Sequence, residues 1–564
     1  MTKVCFDWIF PDPVPEAIHS DLDSFSVPFR SILYRRGCNT SQDAISFLLP
    51  QHPCFPENLA LGHLDLASSL IKYAIDKSQT IAVYGDYDAD GITATALLTQ
   101  ALSKLATRVI PYIPNRLDDG YGLNNTAIEH LHDQGVKLLI TVDNGISSIA
   151  ETAYAKTLGM SVILTDHHQP PQDLPEADAI INPKLPGDPY PNKNLAGVGV
   201  AFKLVTRLAD HFPIIDPTDY LDLVALGTVA DIVPLSGENR YLVKQGLSHI
   251  NQHRRQSLLS LIGAAGLLAR KISATDISFQ LAPRLNSSGR LAEENYLAPL
   301  ELLLSTDPAI SGELAQMLEI DNDRRKQLSR ALQADIEDQL PSPDLLPPIL
   351  ISFDPHHHFG VAGIAAGYLT RKYHLPAIVG TVSESTTTAS CRSIPEFDMV
   401  DALDSMEELF TRHGGHKLAA GFTIKNEDLP DFQERMTQLA ENKLSSLEIK
   451  PQLEIDAIVT MRDLNRSLYQ ELEKLEPTGA GNPTPVFVLR QVKARQISRV
   501  GKHGDHLKFV VDGGKSAIPA IAFGLGPAKK SLQGRIDLAF HFTENEFRGR
   551  KDFQLQVVDI KPSD

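Results

Sequence analysis

Ile81-Ala82-Val83-Tyr84-Gly85-Asp86-Tyr87-Asp88-Ala89-Asp90-Gly91 is a short apolar run that breaks into three aspartates within five residues. The run Ile81–Tyr84 reads as a buried strand and Thr93–Leu105 as the helix that follows it. In an open parallel sheet, ligands collect where loops leave the carboxyl ends of strands. Three carboxylates crowded there repel one another, and a bound cation relieves that repulsion. Alternate spacing lets two of them face one side. A solvated acidic turn would explain one Asp-x-Asp equally well, so recurrence decides. Leu138–Val142 ends in Asp143-Asn144-Gly145, and Ser161–Leu164 ends in Thr165-Asp166-His167-His168. A further acid, Asp231, follows the apolar helical run Leu221–Ala230.

Working outward, Val109–Tyr112 is strand-like, while Thr126–Gln134 and Ser147–Leu158 are helical. Strand-helix-strand repetition predicts an α/β domain whose largely parallel sheet is covered on both faces. The ligand set is mostly carboxylate with one or two imidazoles, which suits Mn²⁺ or Mg²⁺ better than a closed zinc site. There are acids enough for two ions sharing one carboxylate. That arrangement fits metal-assisted hydrolysis of a phosphoester.

The 564 residues are too many for one core. We divide them into an N-terminal segment (1–58, with a short helix near Ser41–Leu49) and the acidic α/β domain (59–240). A helical connector (241–348) follows, then a second α/β domain (349–446) and a C-terminal β-domain (452–564). The connector includes a long exposed helix over Glu313–Leu340, ended by the four prolines of 341–348. Beyond residue 486, five or six short strands predict a small barrel or sandwich. From Arg490 onward there are 14 Lys/Arg against 8 Asp/Glu, so this tail is basic in a chain of net charge −17. The acidic total excludes a protein that coats nucleic acid indiscriminately, but not a nuclease with a local basic surface. No apolar run reaches the roughly 18 residues that span a bilayer, and no secretory signal is evident. Four scattered cysteines form no close pair, which fits a reducing cytosol.

The order of these motifs resembles the DHH phosphoesterase superfamily and, within it, the bacterial RecJ single-stranded-DNA exonucleases. Gly85–Gly91, Thr141–Gly145, Asp166-His167-His168 and Gly227–Asp231 match four family motifs in sequence, and the likeness extends from about Leu59 to Pro562. The resemblance implies metal ligation by Asp88, Asp90, Asp143, His167 and Asp231, with Asp86 as a ligand or directly behind one. It implies that His168 contacts the scissile phosphate and that Asp166 orients histidine. His413-Gly414-Gly415-His416 with Ala419-Ala420-Gly421 resembles the DHH-associated domain, where Gly414, Gly415 and His416 at a Gly-rich turn would clamp substrate.

Three more segments are similar to this family. Asn115-Arg116 through Tyr121 offers a cation and an aromatic, suited to a terminal phosphate and a stacked base. Arg284, Asn286 and Arg290 lie about a Gly-Ser turn, and Ser390 stands near Arg392, a phosphate-binding mixture. The C-terminal domain resembles an oligonucleotide-binding barrel, with Lys502, His503, Lys508, Arg548, Arg550 and Lys551 as candidate contacts, preceded by Leu475-Glu476-Pro477-Thr478-Gly479-Ala480-Gly481-Asn482-Pro483.

The implied activity is 5′-to-3′ digestion of single-stranded DNA to 5′-mononucleotides with two Mn²⁺ or Mg²⁺ ions, in repair and recombination. The implied partners are a single-strand-binding protein and a helicase. We read the chain as a cytoplasmic monomer that needs no membrane. The alternatives are a relative acting on short oligonucleotides or cyclic dinucleotides, and a replication scaffold without catalysis. The appended basic domain disfavours the first, and the complete ligand set disfavours the second.

Overall fold

The computed structural model describes residues 6–51, 60–105, 107–115, 122–252, 255–291, 295–342, 345–501, 504–513, 517–527, 532–547 and 550–563. They form two compact units, one of residues 41–323 with 473–484, the other of 1–40 with 324–472 and 485–564.

The first unit is built on a five-stranded sheet of β1 (Thr80–Tyr84), β2 (Val109–Tyr112), β3 (Val136–Val142), β4 (Ser161–Thr165) and β5 (Ala179–Ile181). Their order is β2-β1-β3-β4-β5, and every pairing is parallel. Side chains alternate between two cores. Ile81, Val83, Leu138, Ile140, Val142 and Ile163 pack on one face. Ala82, Tyr84, Leu139, Val162 and Leu164 pack on the other. Both faces are therefore covered, as the strand-helix repetition predicted. The chain leaves β1 first toward β2 and then crosses to β3, so β1 and β3 flank the point where strand order reverses. Ligand sites in doubly wound sheets form at the carboxyl edge of that point. Asp86, Asp88 and Asp90 follow β1 there, and Asp143 follows β3.

Helices α1 (Ala89–Ser103), α2 (Gly197–His211), α3 (Leu221–Ala230) and α4 (Gly237–Gln252) pack around this sheet, and α5 (Ala282–Leu291) joins them. Helix α1 begins four residues earlier than the sequence pattern suggested, because Asp88 caps it by accepting from the backbone N–H of Asp90 and Gly91. The acidic cluster is thus a helix start rather than a free loop. Helix α6 (Pro308–Gln339) is 32 residues long and crosses from one unit into the other. It is not the exposed rod expected. Ala315, Leu318, Asn322, Ser329, Leu332 and Ile336 are buried along it at helical spacing. Ala315 and Leu318 join the core of the first unit, while Leu332 and Ile336 join a cluster of the second.

In the second unit, β6 (Leu350–Asp354), β7 (Ala377–Val382), β8 (Thr386–Arg392), β9 (Phe410–His416) and β10 (Ala419–Lys425) make a mixed sheet in the order β9-β10-β8-β7-β6. Only β6 and β7 run parallel. Helix α7 (Phe359–Tyr373) packs against β7 and β8.

The C-terminal strands are β11 (Phe487–Val500), β12 (His506–Asp512), β13 (Ala517–Ala522), β14 (Arg535–Phe547) and β15 (Arg550–Pro562). They close into a barrel in the order β11-β12-β13-β15-β14, with β14 returning to β11. Three of these strands have 13 or 14 residues, longer than the short strands predicted. The N-terminal segment, mute as sequence, completes this part. Asp7–Ile9 pairs in parallel with Gln452–Glu454, and Trp8 Nε1 donates to Asp559 Oδ2 at 2.9 Å. Among the described residues, no helix is long and apolar enough to cross a membrane.

Candidate metal centre

Asp90 sits in the first turn of α1 and is 1% exposed. Its carboxylate accepts from the backbone N–H of Gly197 (2.6 Å) and Val198 (2.9 Å), at the start of α2. A helix N-terminus offers unpaired N–H groups and a favourable dipole to an anion. Asp143, at the end of β3, has a left-handed backbone (φ 63°), uncommon for a residue with a side chain. The contact between Asp143 and α2 requires glycine: a Cβ on Gly197 would lie 2.5 Å from Oδ1 of Asp143. Gly227 likewise admits Asp90, its Cβ position lying 2.7 Å from Asp90 Oδ1.

His167 Nε2 lies 3.0 Å from Asp143 Oδ1, 3.7 Å from Asp231 Oδ2 and 4.0 Å from Asp90 Oδ2. This nitrogen and the two carboxylate oxygens Asp143 Oδ1 and Asp231 Oδ2 are buried yet make no hydrogen bond. Candidate ligand atoms of Asp90, His167 and Asp231 fall within 4.8 Å of one another, as do those of Asp86, Asp88 and Asp143. A third such set is Asp143, His167 and His168, so Asp143 borders both groups.

The electrostatics are those of a site short of positive charge. Burial first, then the carboxylate of Asp88, pushes Asp90 up to about 7. Burial, then Asp90 and Asp88, pushes Asp231 up to about 9. Asp143 rises for the same reasons, with Asp231 and Asp86 adding to the repulsion. Burial, then His168, lowers His167 to about 3, which keeps its ring neutral and its lone pair available. Crowded carboxylates with oxygens that no donor reaches, beside a neutral imidazole, fit one or two divalent cations of the oxygen-preferring kind.

Asp166 differs from these acids. Its Oδ1 accepts from the backbone N–H of His167 (2.7 Å) and His168 (2.9 Å) and lies 2.7 Å from His168 Nδ1. Its Oδ2 accepts from Ile146 N–H at 2.9 Å. Burial alone would raise Asp166, but these bonds prevail and hold it below the ordinary carboxylate range. For His168, burial opposes the charged ring, yet the bond and charge of Asp166 outweigh it and lift the imidazole to about 9. Its side chain is 40% exposed, so a cationic edge faces solvent.

The other sequence candidates divide. Arg116 and Tyr121 lie outside the described residues. Arg284 does not offer a free guanidinium: it is 4% exposed, paired with Glu319, and donates to the Gln280 carbonyl at 2.6 Å. Asn286 is half-buried, its Oδ1 accepting from Ala89 N–H at 2.7 Å and so fixing the first turn of α1. Arg290 is half-buried in the last turn of α5.

In the second unit, Ser390 and Arg392 lie two residues apart on β8 and face α7, where a Cβ on Gly363 would meet Arg392 Nη2 at 3.3 Å and Ser390 Oγ at 3.4 Å. Gly414, Gly415 and His416 are not at a turn. They lie in β9, paired with Gly421, Ala420 and Ala419, and the chain reverses at Lys417-Leu418. Among the barrel candidates, Lys502, His503 and Arg548 are outside the described residues, Lys551 pairs with Glu544 at 3.1 Å, and Lys508 is exposed on β12. The sequence reading missed Gly197 and Val198, and placed Gly227 in a motif without seeing that it makes room for Asp90. The one visible signal of the first pair was a glycine at the start of an apolar helix.

Three family models match the chain: the DHH family N-terminal domain over residues 80–228, the DHHA1 domain over 347–442 and the RecJ OB domain over 455–559. The single-stranded-DNA-specific exonuclease RecJ of Escherichia coli K12 is 35% identical over 573 residues, covering 96% of this chain and 97% of the relative. The RecJ of Bacillus subtilis strain 168 is 34% identical, covering 95% of this chain and 68% of the relative. The crystal structure of RecJ from Thermus thermophilus with Mn²⁺ superposes with a TM-score of 0.84 at 30% identity, over 99% of this chain and 80% of that one. A Mg²⁺ complex of the same protein gives 0.78 at 29% identity, over 99% of this chain and 78% of that one.

Proposed function

Because this chain belongs to the RecJ family of single-stranded-DNA-specific exonucleases, we propose that it hydrolyses single-stranded DNA from the 5′ end, releasing 5′-mononucleotides. The observation that carries this reading is the convergence of Asp90, Asp143 and Asp231 on His167 Nε2, with Asp143 Oδ1, Asp231 Oδ2 and that nitrogen all lacking a hydrogen-bond partner.

Asp90, His167 and Asp231 would hold one Mn²⁺ or Mg²⁺ ion, and Asp86 and Asp88 a second, with Asp143 shared. Such ions neutralise the attacking and leaving oxygens of an in-line displacement at phosphorus. The protein supplies the rest. Asp166 fixes the ring of His168 through Nδ1, leaving its other edge to donate to a phosphate oxygen of the substrate. The N–H groups at the start of α2 hold Asp90 in one orientation, so the acid is set before substrate arrives.

Arg290, Ser390, Arg392 and His416 are assigned to backbone phosphates, with Gly414 and Gly415 allowing close approach. Arg116 and Tyr121 are assigned to the 5′ phosphate and first base on the sequence resemblance alone. Arg284 is withdrawn from substrate contact because its guanidinium is committed within the protein, while Asn286 stays assigned to substrate through its amide nitrogen. The fivefold division at residues 58, 240, 348 and 446–452 is retained as a working scheme. A single-strand-binding protein and a helicase remain proposed partners of a cytoplasmic monomer acting in repair and recombination.

The test is a digestion of end-labelled strands carrying 5′-phosphate or 5′-hydroxyl, beside duplex, dinucleotide and cyclic dinucleotide, with Mn²⁺, Mg²⁺ or chelator. We expect metal-dependent release of mononucleotides from the single strand, starting at its 5′ end. Preference for the dinucleotide substrates, or digestion from the 3′ end, would overturn the assignment.

A further inference from the structure

Glu238, Asn239 and Arg240 are three consecutive polar residues at the start of α4, and all are buried, at 5%, 1% and 1% exposure. Each ties down a different stretch of chain. Glu238 accepts from Tyr190 Oη (2.6 Å) and Lys203 Nζ (2.9 Å). Asn239 donates through Nδ2 to the carbonyls of Asn194 (2.6 Å) and Pro234 (3.1 Å). One of those carbonyls lies in the loop before Gly197 and the other in the loop after Asp231. Asn194 lies three residues before Gly197, which holds Asp90, and Pro234 lies three residues after Asp231.

Arg240 reaches away from the centre and spends its whole guanidinium on backbone. Nε donates to Phe47 (2.7 Å), Nη1 to Leu475 and Pro477 (2.9 and 3.0 Å), and Nη2 to Lys474 and Glu476 (3.3 Å each). A guanidinium has five N–H donors, and here five carbonyls take them. The carbonyls from residues 474–477 come from a segment that belongs to this unit although its flanking chain belongs to the other.

The segment is folded to fit. Asn482, fully buried, donates to the Leu475 and Pro477 carbonyls at 2.9 Å each. The segment meets the loop after Asp231 directly: Leu235 N–H donates to the Ala480 carbonyl at 2.7 Å. The approach depends on glycine. Gly481 has φ 70°, and a Cβ there would lie 3.1 Å from Pro234 Cβ, while one on Gly479 would lie 2.9 Å from Leu235 Cδ1.

We propose that residues 473–484 are a brace for the Asp231 loop, with Arg240 and Asn239 as positioning residues that hold it in the geometry a divalent cation requires. The inference rests on reading Asp90 and Asp231 as metal ligands. Removing a partner that orients a ligand weakens metal affinity by roughly 10–100-fold in known sites. A merely structural clamp would lower thermal stability without that selective loss.

The experiment measures Mn²⁺ binding calorimetrically on the full-length chain without DNA, beside the thermal midpoint. Asp231→Asn serves as the ligand control. Gly481→Ala and Arg240→Lys perturb the brace, and Gly481→Ala decides the matter if Arg240→Lys does not fold. We expect about tenfold or weaker Mn²⁺ affinity in the folded brace variants at a temperature well below melting. Lost affinity in Asp231→Asn with parental affinity in Gly481→Ala would overturn the brace alone. Parental affinity in Asp231→Asn would overturn the ligand reading and the brace with it.

Discussion

Asp143 is the residue on which the centre turns, and its backbone shows what the arrangement costs. A left-handed conformation at a residue with a Cβ costs about 1–2 kcal/mol, and such strain persists where the surroundings over-determine it. Here β3 fixes one side and Gly197 permits the other. Asparagine tolerates the left-handed region well, so Asp143→Asn should fold where a β-branched substitute would not. We expect turnover to fall on the order of a thousandfold, about 4 kcal/mol of lost transition-state stabilisation, with single-strand affinity in chelator unchanged. Single-turnover digestion and fluorescence polarisation on the same preparation check this. The crowding of buried carboxylates makes a second prediction. Chelation should lower the melting temperature by a few degrees, on the order of a 1 kcal/mol loss, since repulsion among Asp86, Asp88, Asp90, Asp143 and Asp231 goes uncompensated. Chelated Asp143→Asn should melt higher than the chelated parent, because a neutral amide replaces a buried carboxyl whose ionisation burial and its neighbours oppose. A lower midpoint in the variant would mean that Asp143 helps to hold the metal-free fold.

At the scale of elements, the start of helix α2 is the part of the site that sequence patterns conceal. The strand-end acids were legible because each follows its own apolar strand within two or three residues. Gly197 acts on Asp90 and Asp143, which lie 107 and 54 positions away, so no local spacing reports it. Arg284 misled for a related reason. A cation near a Gly-Ser pair looks available at a turn, but residues 282–291 are helix α5 and Glu319 is folded against the guanidinium. The Gly414-Gly415 pair looked like a turn because glycine breaks strands, whereas both residues pair with β10 and Gly415 uses its freedom inside the strand at φ 144°. Paired substitutions separate the roles of glycine here. Gly197→Ala should abolish Mn²⁺-dependent hydrolysis, because its Cβ would enter the Asp143 carboxylate. Gly312→Ala, on the exposed side of α6 with nothing within 4 Å of its Cβ, should stabilise by up to about 1 kcal/mol through helix propensity. Calorimetric melting of both proteins, with a hydrolysis assay, reads the contrast.

At the scale of the whole molecule, charge is distributed against the total. A chain of net charge −17 ends in a barrel whose sequence, from Arg490 onward, carries 14 cations against 8 acids. The excess was legible in composition, but its disposition was not, since pairing removes some of the cations. Arg495 lies 2.5 Å from Asp512, and Lys551 lies 3.1 Å from Glu544. The N-terminal segment was illegible for the same physical reason: the partners of Trp8 and Ser26 lie more than 400 residues along the chain. Lys508 is exposed on β12, where Leu507, Phe509 and Val511 point into the barrel. A lysine on that outer face can meet backbone phosphate without disturbing the core. Replacing it by glutamate removes one counterion-releasing contact, so the slope of log affinity against log salt should fall by about one. The loss should appear on long strands and vanish on the shortest cleavable oligonucleotides, whose hydrolysis depends on the metal centre alone. Polarisation titrations of a long and a short strand at several salt concentrations measure both slopes. Equal weakening on both lengths would show that the barrel governs the centre itself, and parental slopes on both would remove Lys508 from the DNA path.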